Sequence, residues 1–385
     1  MPAFFRTTAA APFPHLAAAD DLRTPPPRVA HAPTAHGGAT GRRSPRRGSL
    51  LLWSAAAALP AVVLLGVCVG AVPIPLGSAA GSLAQHLLGL PTHADSVIDD
   101  QIVWSLRFPR VLLALLAGAA LSVAGAVLQT VIRNPLADPY VIGISSGASL
   151  AAVSVIVLGP ASGLLQAFGV PGAAFLGAVA TLLAVLLLSR NRGRMDPQRL
   201  ILAGVAVAYL AQAGTSVIQL VSAPDKLQSV IFWLLGSVAS ARWSDLPVVA
   251  LALLLTVPVL LVRRRHLDAL LMGDDFAAAL GVNVSRLRAV LLIASSLLTA
   301  VVVSVAGGIG FVGLIVPHLV RLLVGAGHQR TLPLTIVIGA CFLTLADTIG
   351  RTVAAPLEIP LSIVTAVIGV PVFLTVLLRP RQAAS

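Results

Sequence analysis

Gly143, Ser145 and Gly147 spell G-x-S-x-G within RNPLADPYVIGISSGAS, the stretch from Arg133 to Ser149. In a hydrolase this pattern holds a serine nucleophile on a sharp turn, and His318 is of the right type to take its proton. The same residues have a plainer use. Small residues let helix backbones approach closely, and a serine hydroxyl bonds a carbonyl one turn back. The motif lacks the strand-turn-helix setting of a nucleophile, so pathway lining or helix packing is the favoured reading of Gly143, Ser145, Ser146 and Gly147. His318, beside Pro317 and one turn before Arg321, fits a helix-packing or inner-rim position better than a general base.

Other chemistries find little support. An ion-coupled secondary transporter needs carboxylates near the membrane midplane. Here Asp347 falls near a span end, with Arg351 placed to pair with it at i, i+4, and Glu358, the only glutamate, sits in the turn APLEIP. A P-loop needs a lysine after its glycines, yet the only lysine, Lys226, lies in APDKLQ. The two cysteines, Cys68 and Cys341, both lie in apolar runs and offer neither a disulfide framework nor metal-ligand spacing.

The elements that would position these residues are membrane spans. Of 385 residues, 57% are hydrophobic and 10% charged, and the mean hydropathy is +0.95. That balance excludes a soluble domain. Apolar runs of the ~20 residues that cross a hydrocarbon core occur at 50–72, 110–131, 139–159, 172–189, 199–221, 246–262, 288–306, 311–325, 333–350 and 360–378. The expected fold class is an all-α polytopic membrane protein with about ten transmembrane helices. The formal charge of +12 comes almost entirely from arginines between these runs or in the first 48 residues, which suits the positive-inside rule better than nucleic acid.

An even number of spans puts both termini on one side. With the termini in the cytoplasm, the inner connections hold Arg133, Arg190, Arg192, Arg194, Arg199, Arg263, Arg264, Arg265, Arg286, Arg288, Arg321, Arg330, Arg379 and Arg381. The outer ones keep Arg107, Arg110, Lys226, Arg242 and Arg351. Residues 1–48 read as a disordered Arg/Pro/Ala-rich cytoplasmic tail, followed by a transmembrane domain over 49–385. The run Leu50–Val72 exceeds the ~7 to 15 residues of a signal h-region, so GRRSPRRG reads as a cytoplasmic anchor. Gly307–Gly310 and Pro317 break the seventh and eighth spans, as in segments that line a pathway. Trp104, Trp233 and Trp243 suggest short interfacial helices in the long outer connections, where a partner surface could form.

The inner connection between Arg263 and Arg288 contains GDDFAAALGVNVSRLR. Asp274 is expected to cap a short helix with Phe276, Ala279 and Leu280 on its apolar face, and Gly281 to end it in the left-handed conformation. Such a helix is either an ordinary loop helix or a compact surface for a partner's groove.

Several segments together resemble one family, the FecCD-type permeases of type II ABC importers for ferric siderophores, haem and cobalamin. They are RFPR (107–110), AGAALSVAGAVLQTVIRNPLADPYVIGISSGAS (117–149), GDDFAAALGV (273–282), GGIGFVGLIVPHLVR (307–321), ADTIGR (346–351) and PLEIPLSIVTAVIGVPVFLTVLLR (356–379). The resemblance implies a permease without catalytic residues, in a bacterial cytoplasmic (inner) membrane. It further implies a homodimer, or pairing with a paralogue, two cytoplasmic ABC ATPases that carry ATP and Mg, and an outer substrate-binding protein. By the same resemblance, Gly273, Asp274, Asp275, Phe276, Ala279, Leu280 and Gly281 form the coupling helix that docks on the ATPase. Arg107, Arg110 and Arg351 are implied to pair with acidic residues on the binding protein. DPYVIGISSGAS is most similar to the ferric-siderophore members.

Overall fold

In the computed structural model, the described residues are 45–89, 97–191, 194–195 and 197–378. The expected tail lies outside them up to residue 44, as do Arg192, Arg379 and Arg381. The chain opens with α1 (Pro45–Cys68) and α2 (Leu76–Leu88), and α3 (Val97–Gln101) continues through a π turn into α4 (Phe108–Ile132). A 3-10 turn at Pro139–Ile142 leads to α5 (Ile144–Leu158), followed by the single-turn α6 (Leu164–Ala167) and α7 (Gly169–Leu188). A two-residue antiparallel ladder, β1 (Arg190–Asn191) with β2 (Arg194–Met195), connects to α8 (Pro197–Leu220), α9 (Pro224–Leu234) and α10 (Leu246–Val262). The short α11 (Arg264–Met272) and α12 (Asp274–Ala279) precede α13 (Val284–Ala306), α14 (Val312–Val324), α15 (His328–Gly350) and α16 (Leu361–Leu377).

Eight helices among the described residues are long and apolar enough to cross a membrane, with α14 and α16 as shorter apolar helices. Together they occupy the ten expected spans. The boundaries move for local reasons. The first span stops at Cys68, because Arg107 donates to the carbonyls of Val67 (2.8 Å), Cys68 (3.0 Å) and Val72 and so closes the helix end. The third starts only at Ile144, after Gly143 at φ +80°. The seventh starts at Val284, where Asn283 accepts the N–H of Arg286 at 3.0 Å as an N-cap.

The middle of the fold is α4. It is apolar on every side and almost wholly buried, touching α1, α10, α13, α14 and α15. Its AGAALSVAGA run explains how: a Cβ on Gly118 would meet the backbone oxygen of Gly339 at 2.2 Å, and one on Gly125 that of Gly313 at 1.9 Å. Helices driven together by dispersion rather than hydrophobic burial need such small contact residues.

Where α13 breaks, chain segments from four parts of the sequence meet. Gly236 and Gly307 both have positive φ and pack backbone to backbone. The freed polar groups are paired within the protein. Ser237 N–H donates to Ala306 O (2.8 Å) and Leu361 N–H to Gly236 O (3.0 Å). Ser362 Oγ donates to Gly308 O (2.6 Å), and the N–H of Ile309 to the Tyr140 hydroxyl (2.6 Å). Irregular backbone between spanning helices is stable only when closed off in this way.

On the outer side, α2, α3 and α9 are the short helices expected there. Trp104, in the π turn after α3, stacks on His86 of α2 at 4.3 Å and lies 4.6 Å from Trp243, in the turn before α10, whose indole N–H donates to Trp104 O at 3.1 Å.

Candidate functional site

Beside the break lies a polar cavity of about 190 Å³, lined by Tyr140, Ser145, Ser146, Ser149, Gln212, Thr215, Ser216, Gln219 and Leu234. The α5 serines and the polar stripe of α8 face each other across it. Gln212 and Ser216 are exposed on a helix otherwise apolar enough to span. Uncharged hydrogen-bonding groups in that position must meet water or another protein surface, because lipid cannot satisfy them.

The G-x-S-x-G residues divide between two tasks. Gly143 lies against Gly204 O, and Gly147 fits against Gly177 and Thr181, where a Cβ would strike Thr181 Oγ1 at 1.9 Å. Ser145 and Ser146 line the cavity. That lining holds no histidine, carboxylate or cysteine, so no residue in it can activate Ser145. His318 sits on α14 outside it. At the inner turn, burial pushes the Asp138 carboxyl up to about 6, against the opposing effect of the Tyr140 N–H it accepts.

On the outer side, Arg107, Arg110, Arg351 and Glu358 border a basin of about 440 Å³. One expectation is corrected here. Arg107 and Arg351 are not free rim charges: both are buried and donate to backbone carbonyls at the end of α1, Arg351 to Gly66 O, while Arg351 Nε has no hydrogen-bond partner. The expected i, i+4 pair of Asp347 with Arg351 is present but long, 3.9 Å from Arg351 Nε, and it is not the closest ion pair of Asp347. The closer partner is Arg110, which donates through Nε (3.0 and 3.1 Å) and Nη2 (2.8 Å). Arg110 Nη1 meanwhile donates to Glu358 at 2.8 Å.

On the inner side, α12 is bounded by Gly273 at φ +128° and Gly281 at φ +78°, as expected for its end. Its start differs. Asp274 does not cap the helix but is held by Arg288 (2.8 and 3.0 Å) and Arg133 (3.3 Å), which ties α12 to α13 and to the end of α4. Only Ala277 is buried in α12. Phe276 is 49% and Leu280 62% exposed, with Ala279 and Asp275 exposed beside them. Met272, 72% exposed at the end of α11, is a further apolar side chain beside α12 and was not anticipated. An exposed apolar row on an otherwise Arg-rich face marks a protein contact.

A second tie below α12 was also missed. Asp268, on α11, accepts from the ring Nδ1 of His328 (2.6 Å) and from its backbone N–H (2.9 Å), and His328 Nε2 meets Thr130 of α4 at 2.9 Å. Burial pushes the Asp268 carboxyl up, but the His328 hydrogen bonds outweigh it and hold the group below its ordinary 3.8. The pair's contribution is therefore complete above about pH 4 and is lost as the pH falls through the lower folded value. Asp268→Asn is expected to cost about 1 kcal/mol at pH 7, discounted for the exposed carboxylate. Its melting temperature should approach the wild type's as the pH is lowered through the acid range, and a gap that stays constant with pH would contradict this.

Polar residues in apolar α8, at positions 212, 215, 216 and 219, were a legible signal for the pathway stripe. The Asp268–His328 pair had none, since its members lie far apart in sequence.

A family model described as the FecCD transport family matches residues 58–379. A Fe(3+)-citrate import permease of Bacillus subtilis is 37% identical over 87% of this chain and 96% of its own length. A cobalamin import permease of Halobacterium salinarum is 38% identical over 86% and 96%. Among solved structures, an inward-facing metal-chelate type ABC transporter aligns with 33% identity and a TM-score of 0.74, covering 86% of this chain and 99% of that one. Permeases of this class work with ATPase subunits and an outer binding protein, and ATP hydrolysis lies in those other subunits. With its ten apolar helices, its broken α13–α14 segment and its polar stripe, the chain belongs to the FecCD transport family and is a multi-pass permease of a type II ABC importer for siderophores, haem or vitamin B12.

Proposed function

We propose that the chain carries a ferric siderophore across a bacterial cytoplasmic membrane by alternating access, as a dimer of two like copies powered by two partner ATPases that hold ATP and Mg. The observation that carries the reading is the uncharged hydroxyl and amide stripe of α5 and α8, exposed beside the break in α13. Its 190 Å³ cavity is smaller than the ~300 to 1,000 Å³ of a complete small-molecule site. It is therefore one wall of a path that a second copy completes. Neutral donors and acceptors contact a polar chelate without trapping it, which suits passage more than storage.

The coupling helix α12 seats in an ATPase groove through Phe276, Leu280 and Met272. Its clasps to α4 and α13, together with that of α11 to α15, then transmit closure of the ATPases to the membrane helices. Outside, the binding protein docks over the arginine basin, with Arg110 as the accessible charge, and selects the cargo. Similarity of DPYVIGISSGAS to the siderophore members supports that cargo. The cobalamin permease among the relatives supports a second reading in which the path carries cobalamin, and haem is the third.

Uptake by the complete importer in proteoliposomes, offered a ferric hydroxamate, a ferric catecholate, haem and cyanocobalamin in turn, tests the reading. A ferric siderophore is expected to accumulate in an ATP-dependent manner, and exclusive uptake of haem or cyanocobalamin would overturn the cargo. Ser145→Ala is expected to retain uptake within about fivefold, since a lining hydroxyl contributes about one net hydrogen bond or less. Complete loss would return Ser145 to a chemical role.

A further inference from the structure

Arg110 divides its guanidinium between two carboxylates of opposite character. Asp347, 2% exposed, takes Nε and Nη2, while Glu358, 45% exposed, takes Nη1 at 2.8 Å. The first pair is structural and cannot be reached from outside. The second bond is the exposed one, made where both residues border the outer basin. Arg107 and Arg351 border the same basin, but both are buried and bonded to backbone carbonyls at the end of α1.

Glu358 sits in the turn between α15 and α16, with Leu357 75% and Val353 71% exposed nearby. The acid therefore projects from a loop surface that any docked protein would cover. We infer that Glu358 is an internal stand-in for the carboxylate of the docking partner. It occupies Arg110 Nη1 while the outer face is free and yields that edge when an acidic side chain of the binding protein arrives. This rests on the docking reading above and adds a competing ligand built into the permease.

The physical case is one of relative cost. A mostly buried guanidinium with an open edge is poorly solvated, so an uncovered Arg110 would be unfavourable between docking events. A half-exposed glutamate covers it at little strength, because exposed ion pairs are weak and screened by salt. A partner carboxylate brought in with a whole protein surface can displace it. Docking is thereby weakened and made more readily reversible.

Glu358→Gln keeps the shape and removes the charge. Binding of fluorescently labelled, cargo-loaded binding protein to the complete importer in nanodiscs is the readout. The variant is expected to bind about two- to fivefold tighter, mostly through faster association at low salt. Asp225→Asn removes the same charge from the outer connection at α9, away from Arg110, and should leave the affinity unchanged. Equal tightening by both variants would show a general charge effect and overturn the assignment. Unchanged or weaker binding by Glu358→Gln, with the wild type binding normally and both proteins melting alike, would overturn it too. No binding by the wild type would instead remove the docking reading on which it rests.

Discussion

Replacing Phe276 or Leu280 with aspartate is expected to abolish uptake and the stimulation of ATP hydrolysis while leaving the membrane domain folded. Both side chains project from the inner face, 49% and 62% exposed, so neither supports the core. The helix is anchored independently by Ala277, by the Asp274 pairs with Arg288 and Arg133, and through α11 by Asp268 and His328. An apolar anchor seated in a partner's pocket is worth about 2 kcal/mol or more, or roughly thirtyfold in affinity. A carboxylate driven into the same pocket adds an unpaired buried charge. The measurement is co-purification with the ATPase together with ATP turnover in lipid. Full turnover and stimulation in a stably assembled variant would remove α12 from the coupling role.

Gly125→Leu is expected to have a comparably large effect by another route, through loss of the fold. A Cβ there would lie 1.9 Å from Gly313 O and 2.5 Å from Gly313 C and Cα, all of them backbone atoms that no rotamer change can move. Accommodating even a methyl means separating α4 from α14, next to the junction at Gly307–Gly310. Overpacking costs about 1 to 3 kcal/mol when side chains give way and more when backbones must. Against a total stability of about 5 to 15 kcal/mol, that is a large share. Gel filtration in detergent should show little monodisperse protein. A normal yield and melting temperature would mean that α4 and α14 do not meet as described.

What the sequence disclosed and what it hid follow the range of the interactions. Span positions depend on apolar length, so all ten were legible, as was the broken segment at Gly307–Gly310 and Pro317. The limits of α12 depend on Gly273 and Gly281, which are local. The destinations of the arginines were hidden. Arg110 and Asp347 are brought together only by packing α4 against α15, and Arg107 and Arg351 close a helix end that precedes both. Charge type and predicted side gave these three residues one role, whereas the fold gives them two. Asp274 shows the same limit at short range: local pattern suggested a cap, but Arg288 and Arg133 compete for the carboxylate and offer a charged partner. The polar stripe of α8 was readable in principle, because glutamines in an apolar span demand an explanation.

On the proposed reading, this permease moves cargo only when partner ATPases drive it from inside and a binding protein docks outside. The most direct test is ATP hydrolysis in nanodiscs by the chain co-expressed with a candidate ATPase, with and without loaded binding protein. Stable co-purification, with turnover that rises on adding loaded binding protein and falls to the unstimulated level in Phe276→Asp, is the expected result. Absence of association with any ATPase, together with cargo movement in liposomes lacking ATP, would contradict the account.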